Sequence, residues 1–257
     1  MRIERTVVGV RAALERDRAG RVIGLVPTMG SFHEGHLSLF HAARSECDVA
    51  VASLFVNPAQ FGDTGELATY PHDEERDLVL AREAGIDVLF APSAAEMYPP
   101  GFQTWVDVEQ LSQGLEGAAR DGHFRGVATV CLKLFNAVRP QRAYFGQKDA
   151  QQVAVVRRMV RDLDLELEVR VLPTIRDSDG LALSSRNALL TPAERERARA
   201  LPRALATHDP KQARELLAGL DIDYVELADF DPPVLAAAIR VGSTRLIDNA
   251  VLDEGAK

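Results

Sequence analysis

Two nearly uninterrupted apolar runs, residues 21–26 and 48–56, flank a stretch whose apolar positions Leu37, Leu39, Phe40 and Ala43 recur at helical spacing. This arrangement constrains the fold more than anything else in the chain. A strand that is apolar on both faces must be covered on both, which is the situation of a parallel sheet with helical crossovers. The two runs and the helix between them read as one β-α-β unit.

The turn inside that unit is Pro27-Thr28-Met29-Gly30-Ser31-Phe32-His33-Glu34-Gly35-His36. It gathers backbone N–H groups, the positive end of a helix dipole and two imidazoles, a combination suited to a polyphosphate or another anion. Gly30 and Gly35 allow close backbone approach or a positive φ. If Gly35 opens the helix, His33 and His36, three residues apart, point the same way. Two plainer readings stand beside this one. The pair could be half of a metal site with Glu34 as a third ligand, although no further His or Cys stands at a ligand-like spacing. It could also be two surface histidines beside a structural turn. The chain has no Gly-x-x-x-x-Gly-Lys-Ser/Thr segment and no Gly-x-Gly-x-x-Gly fingerprint, which argues against a P-loop NTPase and a dinucleotide-binding enzyme.

The 257 residues, 46% hydrophobic and 26% charged, suffice for one large or two smaller domains. A net charge of −8 gives no basic excess for nucleic acid or an anionic membrane, so neither is expected as a partner. Cys47 and Cys131 are the only cysteines, too few for a disulfide framework. No apolar stretch is long enough to span a bilayer, and the first residues lack the apolar core of a signal peptide. A cytoplasmic protein is expected.

Taken in order, the pattern predicts a helix over 6–18 stopped by Gly20, a helix over 73–84 ended by Gly85, and strands over 87–90 and 104–108. The segment 117–126, rich in glycine and charge, reads as a mobile loop that delivers His123, and an apolar helix follows over 127–138. A short strand ends near residue 148 and a helix runs over 149–163. That puts Lys148 at a helix N-terminus, where a cation is disfavoured unless an anion is present; the plainer reading is an exposed lysine reaching for Asp149 or solvent. Gln60 leaves the carboxyl end of the second strand, on the rim where open α/β sheets place ligands, and Gln152, in the first turn of the later helix, can face the same site if Lys148 does. A strand over 167–172 completes the alternation.

These elements predict an α/β fold, a Rossmann-like doubly wound parallel sheet over residues 1–174, followed by a smaller C-terminal α+β domain over 175–257. In the latter, Ser184, Ser185 and Arg186 are good phosphate ligands by type, since charge-assisted hydrogen bonds are worth about 1.5–3 kcal/mol each, although Ser-Ser-Arg by itself is more often a surface turn. Thr191-Pro192-Ala193-Glu194 is a capping box with Pro at N1, and Asp209-Pro210 starts another helix. Strands over 221–227 and 245–252 bracket an Ala-rich helix over 233–239. The expected role of this domain is to hold residues 183–186 over a nucleotide and shield it from water.

The turn at 27–36 is similar to the "HIGH"-type motif of nucleotidyltransferases and class I aminoacyl-tRNA synthetases. The longer set PTMGSFHEGH (27–36), LFVNPAQFG (54–62), GHFRGVATV (122–130), KLFNAV (133–138), YFGQKDAQQ (144–152), DGLALSSRN (179–187) and RLIDN (245–249) resembles the pantothenate synthetase (pantoate–β-alanine ligase) family over nearly the whole chain. Departures are Phe32 in place of Leu, His72 in place of Arg after Tyr-Pro, Asp121 in place of Pro, Arg76 before Asp77, and a short segment between Leu205 and Asp221.

The resemblance implies an ATP-dependent condensation of pantoate with β-alanine through a pantoyl adenylate, releasing AMP and pyrophosphate. It implies His36, His33 and Lys148 as catalytic residues. Met29, Gly30, Ser31, Phe32, His33, Glu34, Gly35 and His36 would contact ATP, as would Gly146, Gln147, Lys148, Asp149, Ile175, Leu183, Ser184, Ser185 and Arg186. Gln60 and Gln152 would bind the small substrates. Mg²⁺ would be held mainly through phosphates, with Asp77 helping to position it or its waters, and the chain would form a homodimer. The turn motif alone leaves open another nucleotidyltransferase or a non-catalytic nucleotide-binding module.

Overall fold

The computed structural model describes residues 1–62, 67–68 and 70–252. The chain divides into two compact units, Met1–Phe145 with Val155–Leu172, and Gly146–Ala154 with Pro173–Lys257. Residues 146–154, which the sequence pattern places with the first domain, cluster with the second unit. Residues 253–257 of the expected C-terminal domain lie outside the described residues.

The first unit is built on a six-stranded sheet, with β1 (Arg2–Glu4), β2 (Ile23–Val26), β3 (Val49–Ser53), β4 (Val88–Phe90), β5 (Arg142–Gly146) and β6 (Glu168–Leu172) in the order β1-β4-β3-β2-β5-β6. The pairings β1–β4, β4–β3, β3–β2 and β2–β5 are parallel. Every residue of β2, β3 and β4 is buried, as continuous apolar strands require. The chain progresses outward from β2 through β3 to β4 and then returns to β5 on the other side of β2. The strand order therefore reverses between β2 and β5, the place where open α/β sheets bind ligands at their carboxyl ends. On one face Phe40 and Ala43 of helix Glu34–Glu46 pack with Ala81 and Leu89 in a common core.

Two expectations fail here, and one strand was not anticipated, each for an identifiable reason. Residues 104–108 form no strand: Val106 donates its backbone N–H to Thr129 Oγ1 at 3.0 Å rather than to a neighbouring strand, and Trp105 lies under the guanidinium of Arg125. Residues 117–126 are not one loop: helix Leu115–Ala119 ends there, residues 120–122 turn, and helix His123–Val138 begins. Glycine there serves close approach: a Cβ on Gly126 would stand 2.2 Å from the carbonyl oxygen of Ala59. Finally, β1 lies in the first residues, which look polar because an edge strand of three residues buries little.

In the second unit β7 (Asp221–Ala228), β8 (Val234–Val241) and β9 (Thr244–Val251) form an antiparallel sheet in that order. The Ala-rich segment expected as a helix is the central strand. Ala236, Ala237 and Ala238 pair with Glu226, Val225 and Tyr224 on one side and with Asn249, Asp248 and Ile247 on the other. Pairing on both edges overrides alanine's helix propensity, which is worth well under about 1 kcal/mol per residue. Leu201 and Leu205 of helix Ala200–Leu205 and Ala213 of helix Pro210–Leu216 close the core over Leu235, Ala237 and Ile239. The capping box forms as expected, Thr191 Oγ1 accepting from Glu194 N–H while Glu194 accepts from Thr191 N–H at 2.9 Å.

Candidate active site

The loop after β2 is fastened at several points. Ser53 Oγ accepts the N–H of Thr28 at 3.0 Å, and Thr28 Oγ1 donates back to the carbonyl of Ser53. Gly30 has φ +89°, and a Cβ there would stand 2.6 Å from Leu54 Cδ1 and 2.9 Å from Asp77 Oδ2. Ser31 follows, also left-handed at φ 55°. This kink turns the next two N–H groups toward Asp77, a fully buried carboxylate on helix Glu74–Glu83. Its Oδ2 accepts from Ser31 and its Oδ1 from Phe32, each at 2.7 Å.

Two consequences follow for the expected site. The N–H groups of Ser31 and Phe32 are directed at a carboxylate, so the anion-binding capacity of the turn is smaller than its sequence suggests. Asp77, expected above to help position Mg²⁺ or its waters, holds the shape of the loop through these two hydrogen bonds. Among the described residues no group of three or more His, Cys, Asp or Glu is placed to hold a metal ion.

The helix opens at Glu34, one residue before Gly35, with His33 as its N-cap. His33 Nδ1 accepts the N–H of Gly35 at 3.1 Å, and His36 Nδ1 accepts the N–H of His33 at 3.3 Å. The two rings lie 4.2 Å apart, and Phe32, fully buried against Phe40, packs on His36 at 5.5 Å. Each Nδ1 acts as acceptor, so these hydrogen bonds assign the proton of each neutral ring to Nε2. The pair is thus two oriented donors on one helix end.

Gln60 closes the short 3₁₀ turn Pro58–Gln60 and is buried. Asn57 Nδ2 donates to Gln60 Oε1 at 3.0 Å and to the carbonyl of Gly126 at 3.2 Å, while Asn57 Oδ1 accepts from Tyr98 OH at 2.8 Å. Burial pushes the Tyr98 phenol well above its ordinary pKa, which keeps it a donor. His123, buried at the head of its helix, donates from Nδ1 to the Gln60 carbonyl at 2.9 Å, and Arg120 meets its Nε2 at 3.4 Å. Gln60 Oε1 is occupied by Asn57, so the amide presents its Nε2 hydrogens, which suit a carboxylate or hydroxyl oxygen. Sequence reading singled out Gln60 but not Asn57 or Tyr98. The signal was Asn57 itself, three residues earlier in a turn.

In the second unit, Lys148 sits in the 3₁₀ turn Gln147–Asp149 that leads into helix Ala150–Asp162. Its side chain is only 17% exposed, with Nζ 3.4 Å from Asp149 Oδ1. Lys148, Ser184 and Arg186 line one cleft together with Asn187, Arg245 and Asp248. Ser184 caps the turn Ser185–Leu189 by accepting from Arg186 N–H at 3.3 Å, and Leu183 N–H donates to the carbonyl of Ile175 at 2.9 Å. The lining of that cleft does not include Gly146, Gln147, Asp149, Ile175, Leu183 or Ser185. Gln152 is half-buried in the first turn of its helix, beside the buried Gln151.

The family model of pantoate-beta-alanine ligase matches residues 2–251. The chain belongs to the pantoate-beta-alanine ligase family, and it is an enzyme of that class. It is 52% identical, over an alignment 270 positions long, to the pantothenate synthetase of Heliobacterium modesticaldum, covering 93% of this chain and 94% of that one. Among solved structures, pantothenate synthetase from Thermus thermophilus superposes with a TM-score of 0.92 at 46% identity, over 98% of this chain and 99% of that one. The pantoate-beta-alanine ligase from Francisella tularensis, complexed with beta-gamma ATP and beta-alanine, superposes with a TM-score of 0.87 at 34% identity, over 98% of this chain and 97% of that one. The parallel sheet with a smaller antiparallel C-terminal sheet is the architecture of this family.

Proposed function

We propose that the chain condenses pantoate with β-alanine in two steps at the expense of ATP. In the first, a pantoate carboxylate oxygen attacks the α-phosphorus, the α–β phosphoanhydride bond breaks, and pyrophosphate leaves. In the second, the β-alanine amine attacks the acyl carbon of the adenylate. The amide forms, the acyl–phosphate bond breaks, AMP departs, and the amine loses a proton. The observation that carries this reading is the cleft in which Lys148, Ser184 and Arg186 meet, a lysine, a hydroxyl and a guanidinium being the donors an anionic triphosphate requires. Family membership and the ATP complex of the Francisella tularensis relative support it.

A carboxylate approaching an anionic phosphate needs positioning and charge neutralisation more than covalent help. In this reading Lys148 and Arg186 neutralise the phosphates. His36 is the proton donor and His33 its partner, both acting through Nε2, with the 29–36 loop, 146–149, Ile175 and 183–186 as the ATP-contacting segments. Gln60 and Gln152 hold pantoate, and Gln60 also β-alanine. Mg²⁺ would be held mainly by phosphate oxygens and would supply further charge neutralisation. The same reading takes residues 1–174 as the nucleotide- and pantoate-binding domain, 175–257 as its lid, and the enzyme as a cytoplasmic homodimer. Among the described residues no helix is long and apolar enough to cross a membrane.

The test is product analysis. ATP, Mg²⁺, pantoate and β-alanine together should yield AMP, pyrophosphate and pantothenate in equal amounts. Appearance of ADP, or a stable product that retains the nucleotide, would overturn the proposal.

A further inference from the structure

Asn249, on β9, is 4% exposed and spends its whole side-chain amide on one short turn. Its Nδ2 donates to the carbonyls of both Gln147 and Lys148, each at 2.9 Å, and its Oδ1 accepts from Gln147 Nε2 at 3.1 Å. Three hydrogen bonds from one buried amide to two consecutive residues exceed what a loop needs to be covered. They fix the peptide units on both sides of the Lys148 Cα.

The anchor is itself fixed. Asn249 is in register with Ala236 of the central strand, so its height along the sheet is set by the ladder. The preceding residue, Asp248, is 3% exposed; its carboxylate receives Arg176 in a bidentate pair at 2.6 and 3.1 Å, and its Oδ1 also accepts the Asn249 N–H at 2.8 Å. Arg176 also donates to the carbonyl of Gly180 at 3.1 Å. Arg176 thus clamps the strand at the residue next to the one that holds the Lys148 turn.

A lysine side chain carries much rotational freedom, and its ammonium is positioned well only if the backbone from which it springs does not move. We infer that Asn249 is a positioning residue, which sets Lys148 for the phosphates by fixing its backbone. This rests on the proposed role of Lys148 as a phosphate ligand.

The experiment is a double-mutant cycle on the full chain with Asn249→Ala and Lys148→Ala, reading kcat and KM for ATP in pyrophosphate formation, with thermal melting as the control for folding. Asn249→Ala should lower kcat in the Lys148 background about tenfold or more, since a displacement near 1 Å can cost that much. It should change the rate less than about twofold once Lys148 is alanine, because its target is gone. An equal loss in both backgrounds, with Lys148→Ala itself slow, overturns the positioning role while leaving Lys148 as a phosphate ligand. A wild-type rate for Lys148→Ala overturns both. If Asn249→Ala does not fold, the isosteric Asn249→Asp, which turns the two-carbonyl donor into an acceptor, carries the same cycle. If neither folds, Asn249 is structural and the inference is wrong.

Discussion

Asp77 Oδ1 accepts the backbone N–H of Phe32 at 2.7 Å, from a carboxylate with no exposure to solvent. This bond, with its twin to Ser31, ties helix Glu74–Glu83 to the loop that ends in His33 and His36. Hydrogen bonds to a charged acceptor are worth about 1.5–3 kcal/mol each. Asp77→Asn replaces one acceptor oxygen by an N–H₂ that faces a backbone N–H. We expect it to lower unfolding free energy by about 2 kcal/mol and to slow turnover at least about tenfold, measured by urea titration and by AMP release. Unchanged stability and rate would show that the loop holds its shape without this carboxylate.

His33 serves two purposes that mutation can separate. As N-cap it supports the helix, a contribution of about 1 kcal/mol, and in the proposed reaction it partners His36. His33→Ala should lose both stability and rate. His33→Asn supplies a strong N-cap, so it should recover the stability without the rate. His36→Ala should cost about 10²-fold in kcat, as loss of a transition-state donor does. Near-wild-type turnover of both variants would remove the histidines from the chemistry.

Gly126 should tolerate no side chain. A Cβ at 2.2 Å from Ala59 O and 2.7 Å from Gln60 N must push the Pro58–Gln60 turn away, because the obstruction is backbone and cannot rotate aside. Gly126→Ala is expected to destabilise the protein by about 1–3 kcal/mol. It should also raise KM for pantoate more than KM for ATP, since Gln60 sits on the displaced turn. Equal effects on both constants would argue that Gln60 does not contact the small substrate.

Glu46 gives a pH signature. At the end of the helix that begins beside His33, it receives Arg170 Nε and Nη2, each at 3.1 Å, and Tyr144 OH at 3.1 Å. The hydrogen bonds from Arg170 are the main reason its carboxyl is held below the usual value of 4.5. A carboxylate depressed in the folded state stabilises fully above the unfolded pKa and loses that contribution as pH falls through the folded pKa. The stability difference between wild type and Glu46→Gln should therefore be constant near neutrality and shrink below about pH 4.5. Half-exposed partners limit it to about 1 kcal/mol or less. A difference that persists to pH 2 would assign the effect to packing.

The parallel sheet was legible because β2 and β3 are apolar on both faces, and periodicity records burial directly. Caps were legible too, as at Thr191-Glu194 and Asp209, because they depend on neighbours within one turn of chain. Pairings between distant segments were not. Residues 233–239 have the composition of a helix and become a strand because β7 and β9 offer backbone partners on both edges. The glycines near His123 look like those of a loop, and Gly126 proves to be a contact point for Ala59. The proposed site residues His33, His36, Gln60, Lys148 and Arg186 could be picked from local motifs, since their chemistry is a property of residue type. The loop before His33 is held by Asp77, 45 positions from Phe32, and the backbone of Lys148 by Asn249, 101 positions away, whereas Gln60 is held by Asn57 from three residues away. Sequence alone determined which reactive groups the chain carries and which strands must be buried. Tertiary structure alone decided how the surrounding chain holds those groups, because a hydrogen bond between remote residues is set by folding and leaves no period in the chain.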